Sequence, residues 1–482
     1  MEPESLADAP GSGPEPKGLG PDPTGSLGPE SPDTLADRLV SPLLHLGYSL
    51  VAFMLVIAFS PWWICRCFLD GHFRAMVLGR LTIGLPRLVA TARPRVLVHG
   101  VSVGEVKAAQ GIVKAIRQKV PEAEIVVSAT TGTGLEVATK LFDDLVVVGF
   151  PVDFRVIVGR FLRRIQPTCV VLMELEVWPN FVRAARRAGV PVVVVNGRIT
   201  ERSFRHYSFF RSLLPQFHRV SLFCVQDETY AERFAVLARS PARVIVTGNV
   251  KGDGLKIGEP WRRSTAKVLP AARDGESSLN ETARLAGLDG ADFVIVAGST
   301  HEPEEVWLSE AVRAGAPGAR LVLVPRHPTR AREIQSALAQ GGPDPQLWTA
   351  LRSGAADVDP SRPLLVDTIG ELEQFYALAD LVFVGGSLIQ HGGQNMLEPA
   401  GLGRPVIYGP YVDNFLHEAR LMEGHGASLR VGGRAKLREV ISDLVAKPSV
   451  REEMAVAGVR AAESQRGASE RTLEALRDWR LL

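Results

Sequence analysis

The chain has 482 residues, of which 46% are hydrophobic and 22% charged, and a formal net charge of +2. Such a length holds two or three globular domains, and a near-neutral balance with no Lys/Arg stripe interleaved with aromatics gives no case for a nucleic-acid partner. Four cysteines, Cys65, Cys67, Cys169 and Cys224, are too few and too scattered for a disulfide framework, and they form no metal-ligand cluster.

Residues 1–38 are rich in Pro, Gly, Ser and acids, so they cannot bury enough apolar surface to offset chain entropy and are expected to form a disordered acidic tail. Residues 39–66 are expected to hold a membrane-anchor helix. Leu43 to Ile64 runs without a charged side chain for about the 20 residues that span a bilayer, and Trp62 and Trp63 close it where indoles favour the interface. Arg66, Arg74, Arg80 and Arg87 follow, so the positive-inside rule puts the rest of the chain in the cytoplasm. No A-x-A cleavage site is present, which favours a retained anchor over a removed signal; Pro42 and Pro61 shorten the ideal span and leave a buried core helix as the alternative.

From Arg95 onward, short apolar runs alternate with amphipathic stretches. The runs are Arg95 to His99, Glu124 to Ala129, Cys169 to Met173, Pro191 to Val195, Leu222 to Gln226 and Val244 to Thr247. Strands apolar on both faces imply a parallel sheet covered by helices. After a polar stretch, the alternation resumes with Phe293 to Ala297, Arg320 to Val324, Leu364 to Asp367, Leu381 to Val384 and Pro405 to Tyr408. The expected architecture is α/β, with two doubly wound Rossmann-like domains facing a cleft: residues 90–254 and 292–464, joined by a linker or insertion at 255–291 and followed by a C-terminal helix in 465–482.

Chemistry gathers at the strand ends. His99-Gly-Val-Ser-Val-Gly-Glu105 leaves a strand and enters a helix, placing Glu105 in the first helical turn. Glu105 is then either a carboxylate available as a general base or half of a capping box with Ser102. Glu174 and Glu176, in Met173-Glu-Leu-Glu-Val-Trp-Pro-Asn180, follow the third run and are expected on one side of its end, where paired carboxylates raise one another's pKa or need a cation. Lys251 leaves a later strand end and could supply that charge; Arg198 is a second candidate or a partner of Glu201.

In the second half, Gly298-Ser-Thr-His301 suits an anion, or uses Ser299 or Thr300 as a plain helix cap. Pro325-Arg-His-Pro328 sets Arg326 at a rigid turn, where a guanidinium can grip phosphate. Asp367-Thr-Ile-Gly-Glu-Leu372 and His391-Gly-Gly-Gln-Asn-Met-Leu-Glu-Pro-Ala400 repeat the strand, glycine, helix arrangement suited to a nucleotide. There is no G-x-x-x-x-G-K-[ST] run and no strand-borne G-x-G-x-x-G, so P-loop ATPase and dinucleotide dehydrogenase chemistry lose support.

Taken in order, Ser102-Val-Gly-Glu105, Met173-Glu-x-Glu-x-Trp-Pro-Asn180, Gly248-Asn-x-Lys251, Ala297-Gly-Ser-Thr-His301, Pro325-Arg-His-Pro328, Asp367-Thr-x-Gly-Glu-Leu372 and Gly392-Gly-x-Asn-x-Leu-Glu-Pro399 resemble the motifs of the 3-deoxy-D-manno-octulosonic acid (Kdo) transferases of lipid A biosynthesis. The resemblance implies a GT-B fold and a metal-independent, inverting glycosyltransferase that needs no cofactor and moves Kdo from CMP-Kdo to a lipid A precursor. It implies Glu105 as base, with Ser102 and Gly104 beside it, and Glu174 and Lys251 stabilising the transition state. It also implies a nucleotide-sugar site made by Ser299, Thr300, Pro325, Arg326, Ile369, Gly370, Glu371, Gly392, Gly393, Asn395, Met396, Leu397 and Glu398. The anchor at 43–64 would then hold the enzyme on the inner membrane, catalytic domains facing the cytoplasm. Gly252 stands where the family carries an aromatic, which bears on how Lys251 is held. A non-hydrolysing sugar-nucleotide epimerase of the same fold and a silent binding scaffold are the competing expectations.

Overall fold

The computed structural model describes residues 46–51, 54, 57–210, 216–259 and 276–482. The acidic tail 1–38, part of the 43–64 segment and the centre of the 255–291 segment lie outside the described residues. The chain forms two compact units, one running through Lys251 and taking up Gly467–Leu482, the other Gly252–Arg466.

Among the described residues, the first unit is built on a seven-stranded sheet whose strands all pair in parallel. The strands are β1 (Arg95–Gly100), β2 (Glu124–Ala129), β3 (Val146–Gly149), β4 (Cys169–Met173), β5 (Val192–Gly197), β6 (Leu222–Val225) and β7 (Val244–Val246). Their order is β3-β2-β1-β4-β5-β6-β7. Every residue of β1 and β4 is buried, because helices cover both faces: Val96 and Val98 pack on one side, Leu97 on the other. The chain winds outward from β1 in one direction and from β4 in the other, so the connections leaving these neighbours diverge and open a crevice at their carboxyl ends.

The second unit repeats that plan. Among the described residues its sheet holds β8 (Phe293–Thr300), β9 (Ala319–Pro325), β10 (Gln346–Leu347), β11 (Leu364–Leu365), β12 (Leu381–Val384), β13 (Val406–Tyr408) and β14 (Ser428–Arg430), in the order β10-β11-β9-β8-β12-β13-β14. Its switch point lies between β8 and β12, which pair in parallel with Val384 opposite Gly298.

One expectation is revised. The flanks of the 255–291 segment are not a surface insertion: Leu255, Ala283, Ala286, Leu288 and Ala291 are buried in the core of the second unit. Small alanines on the helix Glu276–Leu285 and just after it carry the apolar face, a weak signal beside larger side chains. The C-terminal helix Ala468–Asp478 returns to the first unit, where Leu473 and Leu476 join the core under helix Val103–Lys119 and the Thr472 hydroxyl donates to Thr247 Oγ1 at 3.0 Å. At the amino end, no helix among the described residues is long and apolar enough to cross a membrane. The helical path turns at Phe59, and a separate helix, Ser60–Leu69, starts with Pro61 in its first turn. Within the first unit the 46–51 stretch contacts the helix Pro179–Arg187, with the Asn180 amide donating to Ser49 Oγ at 3.2 Å.

Candidate functional site

At the first switch point, helix Val103–Lys119 begins directly after β1, with Ser102 as its N-cap and Glu105 in its first turn. The capping box does not form in its usual reciprocal sense. Ser102 makes no side-chain cap; its hydroxyl instead donates to Glu105 Oε1 at 3.0 Å, and the Val101 N–H donates to Oε2 at 2.8 Å. Gly104 is exposed. Burial pushes the Glu105 carboxyl above its ordinary pKa, and the nearby Glu174 adds to the rise. The Val101 and Ser102 hydrogen bonds and the Lys251 charge oppose it.

Glu174 and Glu176 do not continue the alternation of β4. The strand ends at Met173, and Glu174 takes a left-handed conformation, φ 58°, its N–H donating to Val195 O at 2.8 Å. Period-2 logic therefore stops one residue earlier than expected, and the two carboxylates find separate partners. Lys251 Nζ meets Glu174 Oε1 at 2.8 Å, and the Trp178 indole donates to Glu176 Oε2 at 2.9 Å. Burial, then the charges of Glu105 and Glu174, push Glu176 up to about 7, while the Trp178 hydrogen bond and the Arg80 charge pull it down. Arg80, at the end of helix Gly71–Arg80, carried no sequence signal beyond its charge. Glu201 pairs with Arg205 and Arg233, each at 2.9 Å, rather than with Arg198. The departure at Gly252 has a steric reason: a Cβ there would lie 2.3 Å from the Gln465 carbonyl oxygen, so no aromatic fits.

In the second unit, the predicted residues divide into two groups. Pro328, Thr329, Arg352, Asp367, Thr368, Ile369, Gly370 and Glu371 line an open pocket of about 590 Å³. Ile369 is 88% exposed on its rim. Glu371 is fixed by Trp348 Nε1 at 3.0 Å, Arg352 Nη1 at 2.8 Å and the Thr368 hydroxyl. Asp367 accepts from Thr349 N at 3.0 Å and Thr349 Oγ1 at 2.5 Å, which holds the pocket wall. Arg352 and Trp348 were not anticipated, since neither stands in a motif.

The other group sits at the switch point. Ser299 takes a left-handed conformation, φ 55°, and Thr300 is buried next to it, its carbonyl accepting from Arg326 N at 3.0 Å beyond Pro325. His301 packs against His391 with ring centroids 3.9 Å apart, and His327 lies at 6.0 Å. Burial, then His391, His327, Arg330 and Arg326, hold His301 down to about 4, so its ring is neutral at pH 7. Glu304 is an unanticipated member. Fully buried, it accepts from the backbone N–H groups of Gly386, Ser387, Leu388 and His301 at 2.7, 3.0, 2.9 and 3.0 Å.

The Gly392-Gly393 turn has positive φ at both residues, 93° and 78°, which is why glycine stands there. The turn packs on protein rather than on open space, since a Cβ at Gly392 would lie 2.4 Å from the Asn414 amide nitrogen. Asn395 accepts from Leu397 N at 3.1 Å and donates to Glu398 Oε1 at 3.1 Å, so it organises the turn into the following helix. Met396 and Leu397 are buried in the core, which leaves only their main chain to offer a ligand; Glu398 is exposed.

Comparison with known proteins matches the sequence to a family. Residues 78–254 match the sequence profile described as 3-deoxy-D-manno-octulosonic-acid transferase (kdotransferase). The chain is 33% identical to the 3-deoxy-D-manno-octulosonic acid transferase of Bordetella pertussis over 401 residues, covering 80% of this chain and 87% of that protein. It is 30% identical to the enzyme of the same name from Chlamydophila psittaci, covering 90% and 95%. Among solved structures, a glycosyltransferase from Rickettsia africae matches with a TM-score of 0.55 at 10% identity, covering 81% of this chain and 99% of that one. UDP-GlcNAc 2-epimerase from Neisseria meningitidis matches with a TM-score of 0.54 at 14% identity, covering 79% and 99%. A transferase and an epimerase fit equally well, so at these identities the likeness shows the fold alone.

Proposed function

The chain belongs to the 3-deoxy-D-manno-octulosonic acid transferases, glycosyltransferases of lipopolysaccharide biosynthesis, and from that premise we propose how its own residues carry the transfer from CMP-Kdo to a lipid A precursor. Glu105 takes the proton from the acceptor hydroxyl as its oxygen bonds to the anomeric carbon of Kdo. The bond from that carbon to the phosphate oxygen breaks on the opposite side, so configuration inverts and CMP leaves. The observation that carries this assignment is the setting of Glu105: held by two donors, raised in pKa by burial, and placed where the connections after β1 and β4 diverge. Glu174 and Lys251, paired at 2.8 Å, stabilise the charge that develops beside it. The pocket of Arg352, Ile369, Gly370 and Glu371, with Arg326 and the Asn395 to Glu398 turn, takes the nucleotide.

The test is transfer of labelled Kdo from freshly made CMP-Kdo to a tetra-acylated lipid A precursor, comparing wild type with Glu105→Gln at matched thermal stability. Loss of a general base lowers kcat by about 10² to 10⁴. Wild-type transfer should also fall as pH drops through the raised Glu105 pKa, because only the ionised carboxylate accepts the proton. Full activity in a folded Glu105→Gln protein would reduce Glu105 to a loop-organising group.

Membrane attachment is proposed for the amino-terminal segment. Trp62, Phe68 and Leu69 are 53%, 81% and 83% exposed, with Arg66 among them and Arg74 after them, a combination that favours the acidic inner face of the cytoplasmic membrane, where a lipid acceptor is available. Flotation of the intact protein with phosphatidylglycerol-containing vesicles should drop several-fold on Phe68→Ser with Leu69→Ser. Undiminished flotation would place attachment elsewhere.

A further inference from the structure

The second switch point holds polar groups that the fold itself does not use. Thr300 Oγ1 and His301 Nε2, on consecutive residues at the end of β8, are both buried without a hydrogen-bond partner. Orphaned polar atoms at a strand end are costly unless a ligand meets them. The groups facing His301 come from every element around it: His391 from the loop after β12, His327 and Arg326 from the turn after β9, and Arg330 beyond them. Of the carboxylates that follow His301, Glu302 and Glu305 pair with Arg330 at 3.9 and 3.1 Å, and Glu304 is already held by four backbone N–H groups.

The backbone also comes close to these side chains. Gly386 has φ 65°, and a Cβ on it would lie 3.3 Å from the His391 ring, 3.4 Å from the His301 ring and 3.6 Å from the Gln394 amide nitrogen. Two imidazoles and an amide thus converge on a glycine at the carboxyl edge of a parallel sheet, where ligands of such folds bind. A neutral imidazole carries one N–H donor, and a phosphate offers only acceptors at this contact.

We propose that His301, braced by the His391 ring, is a phosphate-binding residue for the departing nucleotide, with Nε2–H donating to a non-bridging phosphate oxygen. This rests on the assignment of the nucleotide to the second unit. As the bond between the anomeric carbon and the phosphate oxygen breaks, its electron pair stays with the phosphate, and the hydrogen bond strengthens with the added charge. His301 gives up no proton in this step; the acceptor's proton goes to Glu105.

Calorimetric titration of the intact protein with CMP and, separately, with cytidine tests it. Wild type should bind CMP more tightly than cytidine. His301→Ala should weaken CMP roughly tenfold, the worth of one hydrogen bond to a charged group, and leave cytidine within about twofold. His301→Gln, which keeps an N–H donor and guards against a misfolded alanine variant, should recover part of the CMP affinity. A wild type that prefers CMP, with His301 variants that lose CMP and cytidine alike or lose neither, would overturn the phosphate contact while leaving the nucleotide assignment standing. A wild type that binds neither compound would overturn the assignment and the contact together.

Discussion

Glu105 and Glu304 occupy the same topological place, the first turn of the helix after the central strand of each sheet, and they have opposite fates. Glu304 is fully buried and engaged by four backbone N–H groups. Glu105 keeps solvent contact, is held by one backbone N–H and one hydroxyl, and shares its surroundings with Glu174, Glu176 and Lys251. The first switch point is acidic with a lysine laid across it; the second is lined by imidazoles and arginine, with the buried Glu304 engaged by the main chain and the buried Glu305 paired with Arg330. A repeated scaffold therefore does not repeat chemistry. What differs is how many donors the surrounding loops direct at the carboxylate, and on the proposed assignment of Glu105 that number separates a structural group from a reactive one.

The largest effect should come from breaking the structural side of that contrast. Glu304→Ala leaves four N–H groups buried without acceptors, and removal of such a partner costs about 3 kcal/mol or more. Urea unfolding should show the loss as a lower midpoint. Glu105→Gln keeps the shape and much of the hydrogen bonding, so its stability should stay within about 1 kcal/mol of wild type while transfer collapses. Equal stability losses in the two variants would erase the distinction between the carboxylates.

Much of this was legible in the sequence because burial writes a strong pattern. The central strands β1, β2, β4, β8 and β12 are apolar on both faces and stand close to where the pattern placed them. The strands that were missed, β3, β10 and β14, lie at or near sheet edges: β10 has two residues, and β3 and β14 carry exposed positions that break the pattern. At the sites, glycines and motif residues marked the strand ends but not their use. The pairing of Lys251 with Glu174 joins residues 77 apart, which charge and position suggested and only geometry fixes. Glu304, Arg352 and Trp348 were missed for a different reason. Their importance comes from partners supplied by distant loops, and nothing local to each residue signals that.

The smallest effect sharpens the acidic side. Glu176 titrates near 7, raised by burial first and then by Glu105 and Glu174. A carboxylate whose folded pKa lies above its unfolded value binds more protons in the native state, so native stability falls as pH rises from about 4.5 toward 7 and stays reduced above that. Glu176→Gln removes the charge and retains an acceptor for Trp178, so it should stabilise the protein at pH 8 by about 1 to 2 kcal/mol after solvent screening and give nothing at pH 4. Thermal melts of both proteins across that range check the sign. A gain that is independent of pH would mean that neither burial nor the acidic neighbours raise the Glu176 pKa, and the crowding of carboxylates at the first switch point would lose its energetic content.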